Sequence, residues 1–394
     1  MDRTERPVRR WPWIVVAILL GLAAAVWAIL PDGDAARVER GADCYPPSRM
    51  PAIETLADGR KAIRLRVLLW NVEGLPWPIR SGREERLRQI ADWITRQREA
   101  GRGPDILILQ EAFTPEASQI VKEARFGLVA SGPALDQSRA PPVKRTDFKN
   151  ASVAERARWW RTLPTTPPPA GFADGARWWR GEGVGKWLDS GLYIATDLPV
   201  NYDESEAFGS GSCAGFDCLS NKGAAVIRIN IPGAPAPLVV FNTHRNSREP
   251  SGVSIARAEQ AHVLQTREND VFLAESGRRA MIAAGDFNNY RAGDRVGTFA
   301  ADPDFRLAAK GAGFAARAAP MTDTTAWTQA HDLLGYGSSP VLTVEPLAVA
   351  TLFDGKNGPV LSDHPAQYVI FRLSWRSDAP AAPVFMAPCR IHPL

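Results

Sequence analysis

The chain has 394 residues, enough to bury a full core in one large domain, and its composition is that of an ordinary globular protein. A formal net charge of +4 is too weak to argue for a nucleic-acid partner. The four cysteines form no Cys/His cluster with zinc spacing, so a structural zinc module is excluded.

At the start, Arg3, Arg6, Arg9 and Arg10 precede an uncharged apolar run from Trp11 to Leu30, long enough to cross a hydrocarbon core as a helix. The run reads as a transmembrane anchor over 11–30 behind a basic segment at 1–10. A cleaved signal peptide is the alternative, since Gly33, Ala35 and Ala36 follow, although the run exceeds a usual h-region. In both cases the basic residues come first, which keeps the amino terminus in the cytoplasm and exports the rest to the periplasm or cell exterior. Export makes disulfides expected: Cys213 and Cys218 share one Gly-rich loop, and Cys44 and Cys389 flank the domain; four unpaired thiols are the alternative.

Residues 31–62 are rich in Pro, Gly, Asp and Arg with little periodicity and read as a linker. A single large domain follows at 63–376, with a tail at 377–394. Ile63 to Trp70 alternates apolar residues with Arg64 and Arg66, a half-buried strand running into Asn71. Arg83 to Glu99 spaces Leu87, Ile90 and Ile94 as one face of a helix. Asp105 to Leu109 is a short buried strand that delivers Gln110 and Glu111. Further strands are expected at Gly191–Ala195, Ala224–Ile231, Leu238–Asn242, Arg279–Ala284, Val341–Thr351 and Gln367–Leu373, with a second helix at Val253–Phe272. Strands and helices alternate without a strict βαβ rhythm, and several strands follow one another through Pro/Gly turns. Two mixed sheets packed together with helices outside account for that pattern.

An insertion at 140–187 contains Ala-Arg-Trp-Trp-Arg twice, placing Trp159, Trp160, Trp178 and Trp179 beside arginines. Such pairs suit a membrane interface, where the ring is apolar, the indole N–H stays wet and the guanidinium meets phosphate. The competing reading is that these rings cap the core or stack on arginine.

The chemistry lies in short polar islands beside apolar runs. Glu111 ends a wholly apolar strand, where a carboxylate is costly without a partner such as a cation; a solvated turn residue is the plainer explanation of a lone acid there. Asn71, Asp286 and Asn288 also lie just beyond strands and supply oxygen ligands or amide donors, a set suited to magnesium, which takes one or two carboxylates, waters and substrate phosphate. His244 and His364, in Asn-Thr-His and Ser-Asp-His settings, read as an acid/base or phosphate-contacting pair, with Asp363 fixing the loop or a metal-bound water.

Asn71, Gln110-Glu111, Ser190-Gly191-Leu192, Asn242-Thr243-His244, Gly285-Asp286-Phe287-Asn288 and Ser362-Asp363-His364, in that order, resemble the motif set of the endonuclease/exonuclease/phosphatase superfamily, which is similar to DNase I. Asp217 and Lys222-Gly223 look like the active-site loop of neutral sphingomyelinases within it. The resemblance implies an α/β, four-layer α/β/β/α sandwich of two mixed sheets, and a magnesium-dependent phosphodiesterase, manganese being the alternative ion. It implies Glu111 as principal metal ligand with Asn71 nearby, and Asp286 and Asn288 positioning the nucleophile and a phosphate oxygen. His364 becomes the general base with Asp363 beside it, His244 and Lys222 stabilise charge at phosphorus, and Asp217 with Lys222 flanks the active site. A membrane-anchored phospholipase C of sphingomyelinase type, acting on a phospholipid, is the leading expectation; an exported nuclease or phosphatase is the alternative. Two departures stand out. The strand that carries the histidine-orienting acid in the family reads Thr343-Val-Glu345-Pro346-Leu347, leaving Glu345 as the substitute. The segment Phe353–Leu361, where secreted bacterial relatives carry an aromatic hairpin, is short and polar.

Overall fold

A computed structural model describes residues 50–138, 171–274, 280–289, 295, 306–308 and 331–382. The expected anchor at 11–30, Cys44 and Cys389, and Trp159 and Trp160 lie outside these residues. Among the described residues no helix is long and apolar enough to cross a membrane.

The first sheet has seven strands: β1 (Glu54–Thr55), β2 (Lys61–Gly74), β3 (Ile106–Ala112), β4 (Leu128–Ser131), β5 (Tyr193–Thr196), β12 (Thr343–Leu352) and β13 (Ala366–Trp375), ordered β12-β13-β2-β3-β5-β4 with β1 on the start of β2. The second has six: β6 (Val200–Ala207), β7 (Gly223–Ile229), β8 (Leu238–His244), β9 (Met281–Asp286), β10 (Arg306–Leu307) and β11 (Asp332–Gly337), ordered β10-β11-β9-β8-β7-β6. Strand β1 falls within the stretch read as linker, pairing Glu54 with Ala62.

Period-two alternation explains the layering. Ile63, Leu65, Val67 and Leu69 of β2 enter the core between the sheets, where they meet Ile227, Val240, Ile282 and Leu334 from the other sheet. Leu68, Trp70 and Val72 point the opposite way, under helices α1 (Glu84–Glu99) and α2 (Pro115–Glu123). Helix α1 buries Leu87, Ile90, Ala91 and Ile94, and it carries Glu84 and Glu85 in its first turn and Arg96 and Arg98 in its last, in the sense its dipole favours. Helix α2 starts where Thr114 Oγ1 accepts the Ala117 N–H and Pro115 opens the first turn. Helix α3 (Ile255–Ala274) packs Phe272 onto Phe241 of β8 on the outer face of the second sheet.

Each sheet has one parallel pair, β2 with β3 and β8 with β9, whose crossovers carry α1 and α3 respectively. These four strands therefore end at one edge of the sandwich. Their antiparallel neighbours β7, β11 and β13 begin there. Residues after some strands and before others thus arrive at the same place.

Candidate active site

Three devices fix that edge. Gln110 and Asn242, fully buried and one from each sheet, tie the sheets together: Gln110 Nε2 donates to Asn242 Oδ1 at 2.6 Å, and Asn242 Nδ2 donates to the carbonyls of Leu109 at 2.9 Å and Tyr193 at 3.2 Å. An added Cβ on Gly285 would lie 2.2 Å from the Thr243 carbonyl oxygen, so glycine alone lets β9 approach β8 as it does. Glu73, Glu111 and Asn288, all at strand ends, hold φ of +51°, +54° and +52°, a left-handed conformation that packing must enforce in non-glycine residues.

Asp286 is the hub. Its Oδ2 accepts from Asn71 Nδ2 at 3.0 Å and lies 3.4 Å from His244 Nε2, while its Oδ1 accepts the Asn288 N–H at 2.9 Å. Glu111 Oε1 lies 3.9 Å from the same His244 nitrogen. To one side, Lys222 Nζ stands 2.9 Å from His244 Nε2, donates to the Arg245 carbonyl at 3.1 Å, and pairs with Asp217, which also accepts from the Ser247 N–H and hydroxyl. To the other side, Asp332 Oδ2 accepts from His364 Nδ1 at 2.7 Å, and His331 Nδ1 meets Asn288 Oδ1 at 3.3 Å.

Burial and charge polarise this row. Burial pushes the Glu111 carboxyl up to about 7, against the pull of His364, Asn71 and Lys222. Burial and the neighbouring Lys222 push the His244 imidazole down to about 3, which keeps it neutral. Burial alone would raise Asp286, but His244, His364 and His331 hold it below the usual carboxylate range. Burial opposes protonation of His364, yet Asp332, Asp286 and Glu111 together lift it well above the ordinary imidazole value. Asp217 likewise stays low against its burial because Lys222 adjoins it.

Glu111, His244 and Asp286 each offer a ligand atom within 4.8 Å of the others, as do Asp286, Asp332 and His364. The residues fit a hard divalent cation. Glu111 is a part-buried carboxylate whose nearest ion-pair partner, His244, is held neutral, and one or two carboxylates with waters and a substrate oxygen are what magnesium uses. Asn71 turns its NH2 to Asp286, and its Oδ1 accepts the Glu73 N–H at 3.0 Å, so it orients the Asp286 carboxylate.

Asn71, Glu111, Lys222, His244, Asp286, Asn288 and His364 thus share one connected network, and Asp217 joins it through Lys222. Asp363 sits half-exposed at the rim, with Oδ1 4.0 Å from His364 Nε2 and Oδ2 3.9 Å from Arg80. Sequence reasoning missed Asp332 and His331. The substitute it offered, Glu345, is spent on Arg372 across the β12–β13 pair, far along the sheet from His364. The available signal was the His331-Asp332 pair at the head of an apolar run, which opens β11 opposite Asp286. The disulfide between Cys213 and Cys218 closes the loop before Lys222.

No protein-family model matches the sequence, and no curated protein matches it. Solved structures do. Sphingomyelinase C from Streptomyces griseocarneus superposes with a TM-score of 0.50 at 20% identity, covering 78% of this chain and 99% of that one. β toxin from Staphylococcus aureus gives a TM-score of 0.50 at 14% identity over 77% of this chain and 99% of that one. A β toxin variant solved with bound magnesium ions gives 0.48 at 15% identity over 77% and 98%. The molecule shares the fold of these two proteins, two mixed sheets packed together, which is the architecture that the resemblance implied.

Proposed function

We propose that this chain is a magnesium-dependent phosphoric diester hydrolase of sphingomyelinase type, a phospholipase C that splits the bond between phosphorus and the lipid oxygen. The observation that carries the reading is the single row Lys222, His244, Asp286, His364 and Asp332, with Glu111 alongside. With Nδ1 held by Asp332, His364 presents Nε2 as the nitrogen that takes a proton from the attacking water. Asp286 and Asn288 orient that water and one phosphate oxygen. Lys222, with neutral His244 held between it and Asp286, offers N–H groups to the oxygens that gain charge as the water oxygen bonds to phosphorus and the lipid oxygen leaves in line. A cation held by Glu111 and Asp286 would neutralise the phosphate, assist the departing oxygen, and offset the share of the field on His364 that Asp286 and Glu111 supply. The leaving alkoxide takes up a proton, so the products are the lipid alcohol and a phosphorylated head group.

The export reading fits the Cys213–Cys218 disulfide, and the run at 11–30 supplies a tether that keeps the domain at the membrane where its substrate lies. Mass spectrometry of products from a mixed lipid extract tests the function. Release of phosphocholine or a related head group with magnesium and not with EDTA is expected. Release that ignores EDTA, or cleavage of DNA in a salt-sensitive manner without any lipid product, overturns it.

A further inference from the structure

The rim of the site is unusually apolar for loops that face solvent. On the His364 side, β2 ends at Gly74 and the following turn exposes Trp77 (58%) and Ile79, anchored by Arg80 pairing with Glu73 at 2.9 Å and reaching Asp363 at 3.9 Å. On the Lys222 side, Trp178 (72%), Trp179, Trp187 and Phe216 are exposed.

These last four belong to one built unit. Buried Glu182 accepts the N–H groups of Arg177 at 2.6 Å and Gly215 at 3.0 Å, and also pairs with Arg257 of α3 at 2.6 Å. It staples the short helical turn Trp178–Arg180 to the turn Gly215–Leu219, which the Cys213–Cys218 disulfide closes. The Trp187 N–H donates to the Leu219 carbonyl at 2.7 Å, and Phe216 and Arg180 converge on Gly252. Asp217, next to Phe216, pairs with Lys222. The two apolar rims therefore attach to opposite ends of the catalytic row.

We infer that these rims dock the site mouth directly onto a phospholipid bilayer, so that the opening faces the head groups. The inference rests on the lipid-diester reading for its purpose, while its geometry stands apart from it. Aromatic rings with an apolar body and a wet N–H seat at the head-group level, and exposed apolar patches of this kind mark interaction surfaces. Arg177 and Arg180 flank the tryptophans, Arg177 standing 5.9 Å over the Trp179 ring, and their charge complements lipid phosphate. A bilayer is favoured over a protein because the patch is split into two rims with the reaction centre between them.

The test reconstitutes the full chain, in EDTA so that nothing is turned over, into phosphatidylcholine and phosphatidylglycerol vesicles with plain or brominated acyl chains. Trp11, Trp13 and Trp27 contribute a constant quench, so the difference between wild type and Trp178→Ala/Trp179→Ala reports the rim. A smaller fractional quench in the variant is expected; equal quench in both overturns the inference. With magnesium, the alanine variant should lose vesicle turnover severalfold and keep turnover on detergent-dispersed lipid, while Trp178→Phe/Trp179→Phe retains both. Equal losses on vesicles and micelles overturn it. A wild-type dimer in detergent that the alanine variant converts to monomer assigns the rim to a second copy and also overturns it. A quench difference in a protein that hydrolyses no lipid upholds docking and defeats only the lipid-diester reading.

Discussion

Asp332 holds Nδ1 of His364 at 2.7 Å, buried, with its own carboxyl raised by that burial. Asp332→Asn keeps the shape but removes the charge that sets the tautomer, and kcat is expected to fall about 10²- to 10⁴-fold with little change in KM. Glu345→Gln should leave kcat unaltered, because Glu345 pairs with Arg372 across β12 and β13, far along the sheet from His364. Equal losses in the two variants would remove Asp332 from its role. Asp189 offers a residue-scale test of pH dependence. Burial lifts its carboxyl from 3.8 to about 6, against the help of the Gly191 N–H that it accepts at 2.8 Å. Folding therefore favours the protonated form: the stabilisation is complete below pH 3.8 and is lost as pH rises through 6. Asp189→Asn keeps the acceptor and abolishes the titration. Denaturant unfolding should show it more stable than wild type above about pH 6, by up to about 3 kcal/mol, and equal to it near pH 4.

At the level of elements, the site exists because each sheet contributes a parallel pair whose carboxyl ends meet at one edge. Asn242 is the bolt between them, satisfying Gln110 and two carbonyls from the first sheet inside the core. Asn242→Ala strands those groups and should cost about 3 kcal/mol, read as a lower urea midpoint, with a further loss of kcat as Asn71 and Asp286 fall out of register. An unchanged midpoint would show that the sheets are registered by their apolar faces alone. The same geometry explains which motifs were easy to see. Glu111 and Asp286 close parallel strands and stand out as acids after apolar runs, whereas Asp332 opens an antiparallel strand and looks like the start of a different element.

Across the whole molecule, the network leaves a part-buried Glu111 titrating near neutrality and Asp286 strongly acidic, which couples cation binding to folding. Magnesium at about a hundred times its Kd should add about 2.7 kcal/mol to stability and raise Tm by a few degrees. Glu111→Gln should erase that shift while folding normally, since it removes a charge that burial disfavours. A magnesium-induced shift that survives in this variant would place the ion elsewhere.

Much of this was legible in the chain itself. Period-two alternation in Ile63 to Trp70 and helical spacing in Leu87, Ile90 and Ile94 report the faces that must leave water, and the polar islands from Asn71 to His364 stand out because charge beside an apolar run is costly. What only the tertiary structure decided is pairing across distance. That Asp332 rather than Glu345 holds His364, that Asn71 presents its NH2 to Asp286, and that Glu182 welds the Trp178 turn to the loop bearing Asp217 all depend on register and crossover. Local sequence encodes which face a residue takes; which residue it meets is set by sheets whose partners lie hundreds of positions apart.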